Sequence, residues 1–117
     1  MSHFRHITKA LGISGIHTEV YSWRSRESQP AVQIDMVIDR SDGVVNICEM
    51  KYSRLPYVMT KAEAEKIELR EATFLAENPS KPWTQVVLIT TKGAKQNSHS
   101  GVAKKVLTLD DLFEKGK

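Results

Sequence analysis

Residues 32–51 read Val-Gln-Ile-Asp-Met-Val-Ile-Asp-Arg-Ser-Asp-Gly-Val-Val-Asn-Ile-Cys-Glu-Met-Lys, and this stretch predicts a β-hairpin. Its first half alternates apolar residues with mostly polar ones, which is the period of a strand with two different faces. One predicted face of that strand consists of Val32, Ile34, Met36 and Ile38. In the second half, Glu49 and Lys51 fall on one face because they are two residues apart.

The turn of this hairpin sets which residues face each other across its strands. Ser41-Asp42-Gly43 suits a three-residue loop whose last position needs a positive φ angle, which glycine adopts at little cost. With this loop, Asp35 faces Glu49 and Gln33 faces Lys51. The register therefore predicts that two carboxylates, an amide and an ammonium converge on one patch.

Two carboxylates that face each other in a sheet need compensation, because like charges in that position are destabilising. A divalent cation is the natural compensation, since carboxylate oxygens suit hard ions such as Mg²⁺ or Mn²⁺. Lys51 shares the face of Glu49 and can orient or deprotonate a metal-bound water, or neutralise a phosphate oxygen. The alternative is a solvated charged face, although apolar Val37, Val45 and Ile47 on the same face favour coverage.

The hairpin resembles the core of the PD-(D/E)-x-K superfamily, the restriction-endonuclease-like nucleases. Asp35 stands in the place of the motif aspartate, and Glu49-Met50-Lys51 matches the (D/E)-x-K element. More narrowly, nearly the whole chain resembles the nuclease-like C-terminal domain of certain archaeal and bacterial P-loop ATPases. The phrases that carry this likeness are Leu11-Gly12-Ile13-Ser14-Gly15, Tyr21-Ser22-Trp23, Gln33-Ile34-Asp35, Ile38-Asp39-Arg40, Cys48-Glu49-Met50-Lys51, Leu88-Ile89-Thr90-Thr91-Lys92-Gly93 and Leu109-Asp110-Asp111-Leu112-Phe113.

The resemblance implies a metal-dependent nuclease, that is, a hydrolase of phosphodiester bonds in DNA. In that role Asp35 and Glu49 hold Mg²⁺ or Mn²⁺, with the main-chain carbonyl of Met50 as a further ligand. Lys51 activates the attacking water, and Gln33 positions substrate or water.

The chain departs from the family pattern in two places. Ile34 stands where the motif has proline, and residues 2–11 contain no acid, whereas many members carry a glutamate on the first helix. We therefore expect a metal site with only two side-chain carboxylates.

Length and composition limit the class of protein. With 117 residues, 40% of them hydrophobic and 26% charged, the chain predicts one folded domain. The net charge of +3 permits a DNA partner without requiring one. The single cysteine, Cys48, cannot form an internal disulfide, and no stretch resembles a membrane span or a signal peptide, so we expect a cytoplasmic protein without membrane contact.

The chain could be a fragment of a longer ATPase-containing protein. Similar ATPase-linked domains carry further helix before the point where this sequence starts. The Gly-x-x-x-x-Gly-Lys-[Ser/Thr] phosphate loop of such an ATPase does not occur within these residues.

The segments around the hairpin predict a mixed sheet between helices. Helical spacing over residues 3–11 and strand alternation over residues 16–24 precede it. Thr60-Lys61-Ala62-Glu63 is a capping box that opens a helix to about Glu77, and residues 83–91 read as a buried parallel strand. A short strand and a last helix follow. The predicted fold class is therefore α/β (α+β), in the order αβββαβ(β)α.

Two groups of basic residues are candidates for contact with DNA. Lys66 and Arg70 are four apart on the predicted helix, and the resemblance implies that a basic residue there faces the active site; pairing with Glu63 on a solvated helix is the alternative. The second group lies in a segment without acidic residues and consists of Lys92, Lys95, Lys104 and Lys105. This segment predicts a flexible loop suited to phosphate contact, with solvated lysines of no function as the alternative.

Three classes of function remain open from the sequence. The first is a metal-dependent DNA endonuclease-like domain. The second is a catalytically inactive nucleic-acid-binding or interaction module associated with a P-loop ATPase, and the third is a small toxin- or antitoxin-like partner. A homodimer would suit an enzyme that cuts both strands, but no self-complementary apolar seam is legible. Metal affinity separates the first class from the other two.

Overall fold

The computed structural model describes residues 2–29 and 31–108, with side chains from residue 5 onward, as one mixed β-sheet between two helices. In chain order the elements are α1 Ser2–Ala10, β1 Thr18–Arg24, β2 Gln33–Arg40, β3 Val44–Lys51, α2 Lys61–Glu77, β4 Trp83–Thr90 and β5 Lys105–Thr108, with a 3-10 turn at Ser100–Val102. The predicted fold class is confirmed. The predicted last helix lies outside the described residues.

The strands lie side by side in the order in which they occur along the chain. β1, β2 and β3 form an antiparallel meander, and β3, β4 and β5 run parallel to one another. The link from β3 through α2 to β4 is a crossover unit, which returns the chain to the same end of the sheet. The carboxyl ends of β3, β4 and β5 therefore meet at one edge, where Lys51 pairs with Thr90 and Thr90 pairs with Thr108.

Each face of the sheet is covered by one helix. On the α2 side, Ile67 and Phe74 are fully buried against the strands, and Trp23 meets the Phe74 ring edge-on with centroids 5.2 Å apart. On the α1 side, Ile7 packs with Cys48. Burial raises the pKa of the Cys48 thiol to about 12, so this cysteine is a small apolar core residue, as predicted. Within the described residues, neither helix is long and apolar enough to cross a membrane.

The hairpin of β2 and β3 has the predicted register. Its paired residues run from Met36 opposite Cys48 to Asp39 opposite Val45, which leaves Ser41-Asp42-Gly43 as the loop. Gly43 has the predicted positive φ, +92°. Its N–H donates to the carbonyl of Arg40 at 3.1 Å, and this bond closes the turn.

The predicted alternation along β2 is wrong at its start. Tyr21 of β1 pairs with Val37, but Trp23 pairs with Ile34, so two residues of β2 oppose the single residue between them. This is a β-bulge, and the extra residue inverts the faces of everything that precedes it. Ile34 and Val37 consequently share the α2-side core, while Met36 and Ile38 pack on the α1 side.

Helix α2 begins at the predicted cap, but only half of the capping box forms. The N–H of Glu63 donates to the side-chain oxygen of Thr60 at 3.1 Å, which satisfies one of the free N–H groups of the first turn. The Glu63 carboxylate does not return to Thr60 as in the reciprocal box. It accepts from Lys51 of β3 instead, at 2.7 Å. The helix ends at Glu77, just before Asn78 and Pro79, as predicted.

Candidate active site

The candidate site lies at the carboxyl end of β3, on the side of the sheet that α2 covers. Glu49 is 8% exposed, and its Oε1 accepts a hydrogen bond from Nη1 of Arg70 at 3.0 Å. Lys51 follows two residues later on the same face, and its Nζ donates to Oε1 of Glu63 at 2.7 Å. Two ion pairs therefore join the end of β3 to the first two and a half turns of α2.

Lys66 reaches this cluster through Glu63. Its Nζ lies 3.7 Å from Oε2 of Glu63, the oxygen that Lys51 does not use. The side chain of Lys66 is 63% exposed, whereas that of Arg70 is 28% exposed. Arg70 thus belongs to the interior of the site and Lys66 to its rim.

Asp35 and Gln33 lie on β2, beyond the paired stretch of the hairpin. Both are exposed, and Nε2 of Gln33 donates to Oδ1 of Asp35 at 3.3 Å. Asp35 is close enough to Glu49 to raise the pKa of that carboxyl electrostatically. The bulge interrupts β2 here, so the ladder contains neither of the predicted pairs, Asp35 with Glu49 or Gln33 with Lys51, and Asp35 is exposed whereas Glu49 is buried.

Burial is the main cause of the raised pKa of the Glu49 carboxyl, because it removes water from the charged form. Arg70 and Lys51 oppose this effect, and the carboxylates of Asp35 and Glu63 add to it. The pKa of Glu63, by contrast, is lowered, chiefly by its hydrogen bond from Lys51. The site therefore holds two glutamates whose affinities for a proton are shifted in opposite directions.

The compensation that the sequence led us to expect from a divalent cation is supplied in part by side chains. Arg70 neutralises Glu49, and Lys51 neutralises Glu63. The six charged groups of the cluster balance, three acids against three bases: Asp35, Glu49, Glu63, Lys51, Lys66 and Arg70.

The carboxylates nonetheless retain oxygens that suit a hard cation. The hydrogen bonds within the described part of the chain use Oε1 of Glu49 and Oδ1 of Asp35, which leaves Oε2 and Oδ2 as ligand atoms. Among the described residues no group of three or more His, Cys, Asp or Glu side chains is arranged to hold a metal ion. The expected metal site with two side-chain carboxylates therefore stays a prediction.

Met50 stands between the two charged residues of β3. It pairs with Ile89 of β4, and its side chain packs on the α1 side of the sheet. Its sulfur accepts from the Tyr52 hydroxyl at 3.8 Å.

Two residues of the site were not identified from the sequence, Glu63 as a partner of Lys51 and Tyr57. Glu63 carried a signal, because it lies three residues before Lys66 and seven before Arg70 and so shares their helix face. Tyr57 carried none. Nζ of Lys51 lies 5.9 Å from the centroid of the Tyr57 ring, a cation–π contact, and burial raises the pKa of the Tyr57 phenol.

The four lysines after β4 lie in two parts of the chain, the segment that follows β4 and the start of β5. Lys92 and Lys95 flank a segment that is tied to the β3–α2 connector: the N–H of Tyr57 donates to the carbonyl of Gly93 at 2.8 Å, and the N–H of Lys95 donates to the carbonyl of Tyr57 at 2.9 Å. Two backbone hydrogen bonds therefore hold this part of the predicted loop against the connector, and its flexibility stays a prediction.

Lys104 and Lys105 lie at the start of the outer strand, and Lys104 lines one groove together with Lys95. Lys105 pairs with Val87, three residues before the Thr90 that neighbours Lys51. At about 3.3 Å per residue and 4.8 Å per strand, Lys105 is on the order of 14 Å from the strand end that carries the site.

Comparison with known proteins supports the fold and leaves the activity open. No family model matches the chain, and no curated protein matches it. Among solved structures, the crystal structure of a protein of unknown function, AF1548, is similar with a TM-score of 0.63 and 18% sequence identity. The similarity covers 99% of this chain and 67% of that one. The arrangement of strands and helices is therefore shared with a known fold.

Proposed function

We propose that this chain is a metal-dependent nuclease domain that hydrolyses phosphodiester bonds in DNA, as its resemblance to the PD-(D/E)-x-K superfamily implies. The observation that carries the proposal is the buried carboxylate of Glu49 with Lys51 on the same strand face and Asp35 at the border of the cluster. A buried carboxylate has lost the water that stabilises its charge, and a bound cation can compensate that charge instead.

In the proposed enzyme, the carboxylates of Glu49 and Asp35 and the main-chain carbonyl of Met50 would hold Mg²⁺ or Mn²⁺. Such an ion polarises a phosphate oxygen and lowers the pKa of a bound water. Arg70 keeps Glu49 ionised and fixes its orientation through the 3.0 Å hydrogen bond. A divalent ion added to the balanced cluster gives it a net positive charge, which attracts a phosphate.

Lys51 is the residue proposed to act on the attacking water or on a phosphate oxygen. An ammonium that is free to rotate loses entropy when it is ordered, but Lys51 is already held by Glu63 at 2.7 Å and by the Tyr57 ring. One of its three N–H donors is used in this way, so the others remain for the reacting groups. Gln33, Lys66 and Arg70 are the proposed substrate-positioning residues.

DNA is the proposed substrate because a mildly basic chain with exposed lysines beside the site suits a polyanion. Lys92, Lys95, Lys104 and Lys105 are the proposed backbone contacts, and Lys95 and Lys104 line one groove. We place this activity in the cytoplasm, since the single Cys48 is a reduced core thiol.

A second candidate function follows from the charge balance of the cluster. Because Glu49 pairs with Arg70 and Glu63 pairs with Lys51, both carboxylates have cationic partners without a metal, and the domain could bind nucleic acid or a partner such as a P-loop ATPase without cutting. DNA binding that is unchanged by EDTA, with no cleavage, would favour this alternative.

The test is cleavage of single-stranded, duplex and branched DNA with Mg²⁺ or Mn²⁺ by the wild type, Asp35→Asn and Lys51→Ala. Both substitutions should lower the cleavage rate by about 10²- to 10⁴-fold while leaving the far-UV circular dichroism unchanged. Glu65→Gln, at an exposed position of α2, is the matched control and should cut as the wild type does. Folded wild type that cuts none of these substrates, or variants that cut normally, would refute the proposal.

A further inference from the structure

A groove of about 580 Å³ opens beside the candidate site, between α2 and the segment that leads into β2. One wall is Lys66, Leu69 and Arg70 from α2, and the other includes Ala31, Val32 and Gln33. Its volume is within the range of about 300–1,000 Å³ that small-molecule sites occupy. Two of these residues also belong to the site: Arg70 bonds Glu49, and Gln33 bonds Asp35. The groove therefore lies next to the two carboxylates, because Arg70 contacts one of them and Gln33 contacts the other.

The wall opposite α2 is fixed in place at its base. The N–H of Ser25 donates to the carbonyl of Val32 at 2.8 Å, and the N–H of Val32 donates to the Ser25 hydroxyl at 2.8 Å. Ser25 is 6% exposed, so both bonds are shielded from water. The groove is thus held open by the backbone on one side and by a helix on the other.

The lining has a distinct chemical character. Leu69 is 57% exposed and, together with Val32, presents apolar surface to the groove. None of the lining residues is acidic, and the two charged ones, Lys66 and Arg70, are both cations. The amide of Gln33 can donate to and accept from the edge of a planar heterocycle. The apolar surface, the amide and the two cations together complement a base that is attached to a phosphate.

We propose that this groove holds an unpaired nucleobase next to the scissile phosphate, so that the substrate is single-stranded or flapped DNA. This inference rests on the proposed nuclease function. Bases in a continuous duplex are paired and stacked, and they reach an apolar groove only after extrusion, which costs a few kcal/mol. An unpaired base does not have that cost, because its faces are already available for contact.

The test measures binding without cleavage, with fluorescently labelled DNA of about ten nucleotides in EDTA, read by anisotropy. The wild type should bind the single strand at least about fivefold more tightly than a blunt duplex of equal length. Leu69→Glu should remove most of that preference, and Leu69→Gln should weaken single-strand binding without adding a charge. Trp83→Glu, an exposed apolar position at the start of β4, is the matched control and should bind as the wild type does.

Salt dependence separates the base contact from backbone contacts. Leu69→Gln should leave the slope of log affinity against log salt unchanged, whereas Lys66→Ala should lower that slope by about 1. Equal affinity of the wild type for single strand and duplex, no binding of either, or normal binding by Leu69→Glu would each overturn the inference.

The inference and the nuclease proposal can fail separately. If the chain prefers single strands in a way that depends on Leu69 but shows no metal-dependent cleavage, the result would support base binding in the groove and refute the nuclease proposal. Cleavage of blunt duplex at the same rate as of single strand would retain the nuclease and overturn the groove.

Discussion

Glu49 illustrates how a buried charge is held at the scale of single residues. Its carboxylate loses hydration on folding, and the ion pair with Arg70 at 3.0 Å returns part of that energy. The pKa of Glu49 is raised nonetheless, so the neighbouring cations do not fully offset burial together with the repulsion from Asp35 and Glu63. In the folded chain Glu49 therefore has an increased tendency to take up a proton.

This predicts a pH-dependent effect of Glu49→Gln on stability. A group whose pKa is raised by folding contributes stability that is full below its unfolded value, here 4.5, and is lost as the pH rises through the folded value. Glu49→Gln has no carboxyl to titrate at this position, so its free energy of unfolding does not fall for this reason as the pH rises. The free energy of unfolding of Glu49→Gln minus that of the wild type should therefore rise from below pH 4.5 to neutral pH, as measured by urea unfolding without metal.

Glu65→Gln provides the control, since it removes a carboxylate from an exposed position of α2. Its difference from the wild type should stay within about 0.5 kcal/mol across the same pH range. If the difference for Glu49→Gln instead falls as the pH rises, Arg70 and Lys51 dominate over burial and our account of the site is wrong.

The site residues on β3 could be predicted from the sequence, whereas their contacts with α2 could not. Glu49 and Lys51 share a face because strand alternation fixes it, and Lys66 and Arg70 share a face because helical spacing fixes it. Which face of α2 meets which end of β3 depends on how Ile67 and Phe74 pack against the sheet. That packing is a tertiary property, so the bond between Glu63 and Lys51 could not be predicted.

At the scale of elements, the hairpin of β2 and β3 is specified by its loop. Gly43 has a φ of +92°, and an added Cβ there would meet no atom within 4 Å, so only backbone conformation requires glycine. The loop length then fixes the register that brings the β2 carboxylate near the β3 pair.

Gly43→Ala should therefore destabilise the domain by about 1–2 kcal/mol, because alanine resists a positive φ. Gly15→Ala is the matched control: this glycine also has open space around it but no positive φ. It should be neutral or stabilising by up to about 1 kcal/mol. Thermal or urea unfolding measures both, and equal effects of the two substitutions would contradict the conformational explanation.

The β-bulge in β2 is a feature that the sequence pattern of the strand does not indicate. The residues from Ile34 to Ile38 alternate well enough to predict a regular strand, yet Ile34 and Val37 share one core. The bulge is set by pairing with β1, where Ser22 opposes two residues, and composition does not indicate it. The predicted pairs from Met36–Cys48 to Asp39–Val45 were right, but the prediction that Ile34 and Met36 share one face of the sheet was wrong.

At the scale of the whole molecule, the crossover from β3 through α2 to β4 assembles the site. It joins a strand end to the first turns of the next helix, and it brings the Tyr57 connector beside the segment after β4. The order of elements could be predicted because each has a strong local pattern. The groove that Lys95 and Lys104 share could not be predicted, because it depends on where β5 joins the sheet.

The measurement that tests this account most directly is calorimetric titration of Mn²⁺ into the wild type, Asp35→Asn, Glu49→Gln and the control Glu65→Gln. We predict that the wild type and the control bind the ion equally. Asp35→Asn and Glu49→Gln should each weaken binding by at least about tenfold, because each removes one of two carboxylate ligands. A folded wild type that binds no Mn²⁺, or binding that neither substitution weakens, would contradict the proposal that these carboxylates form a metal centre.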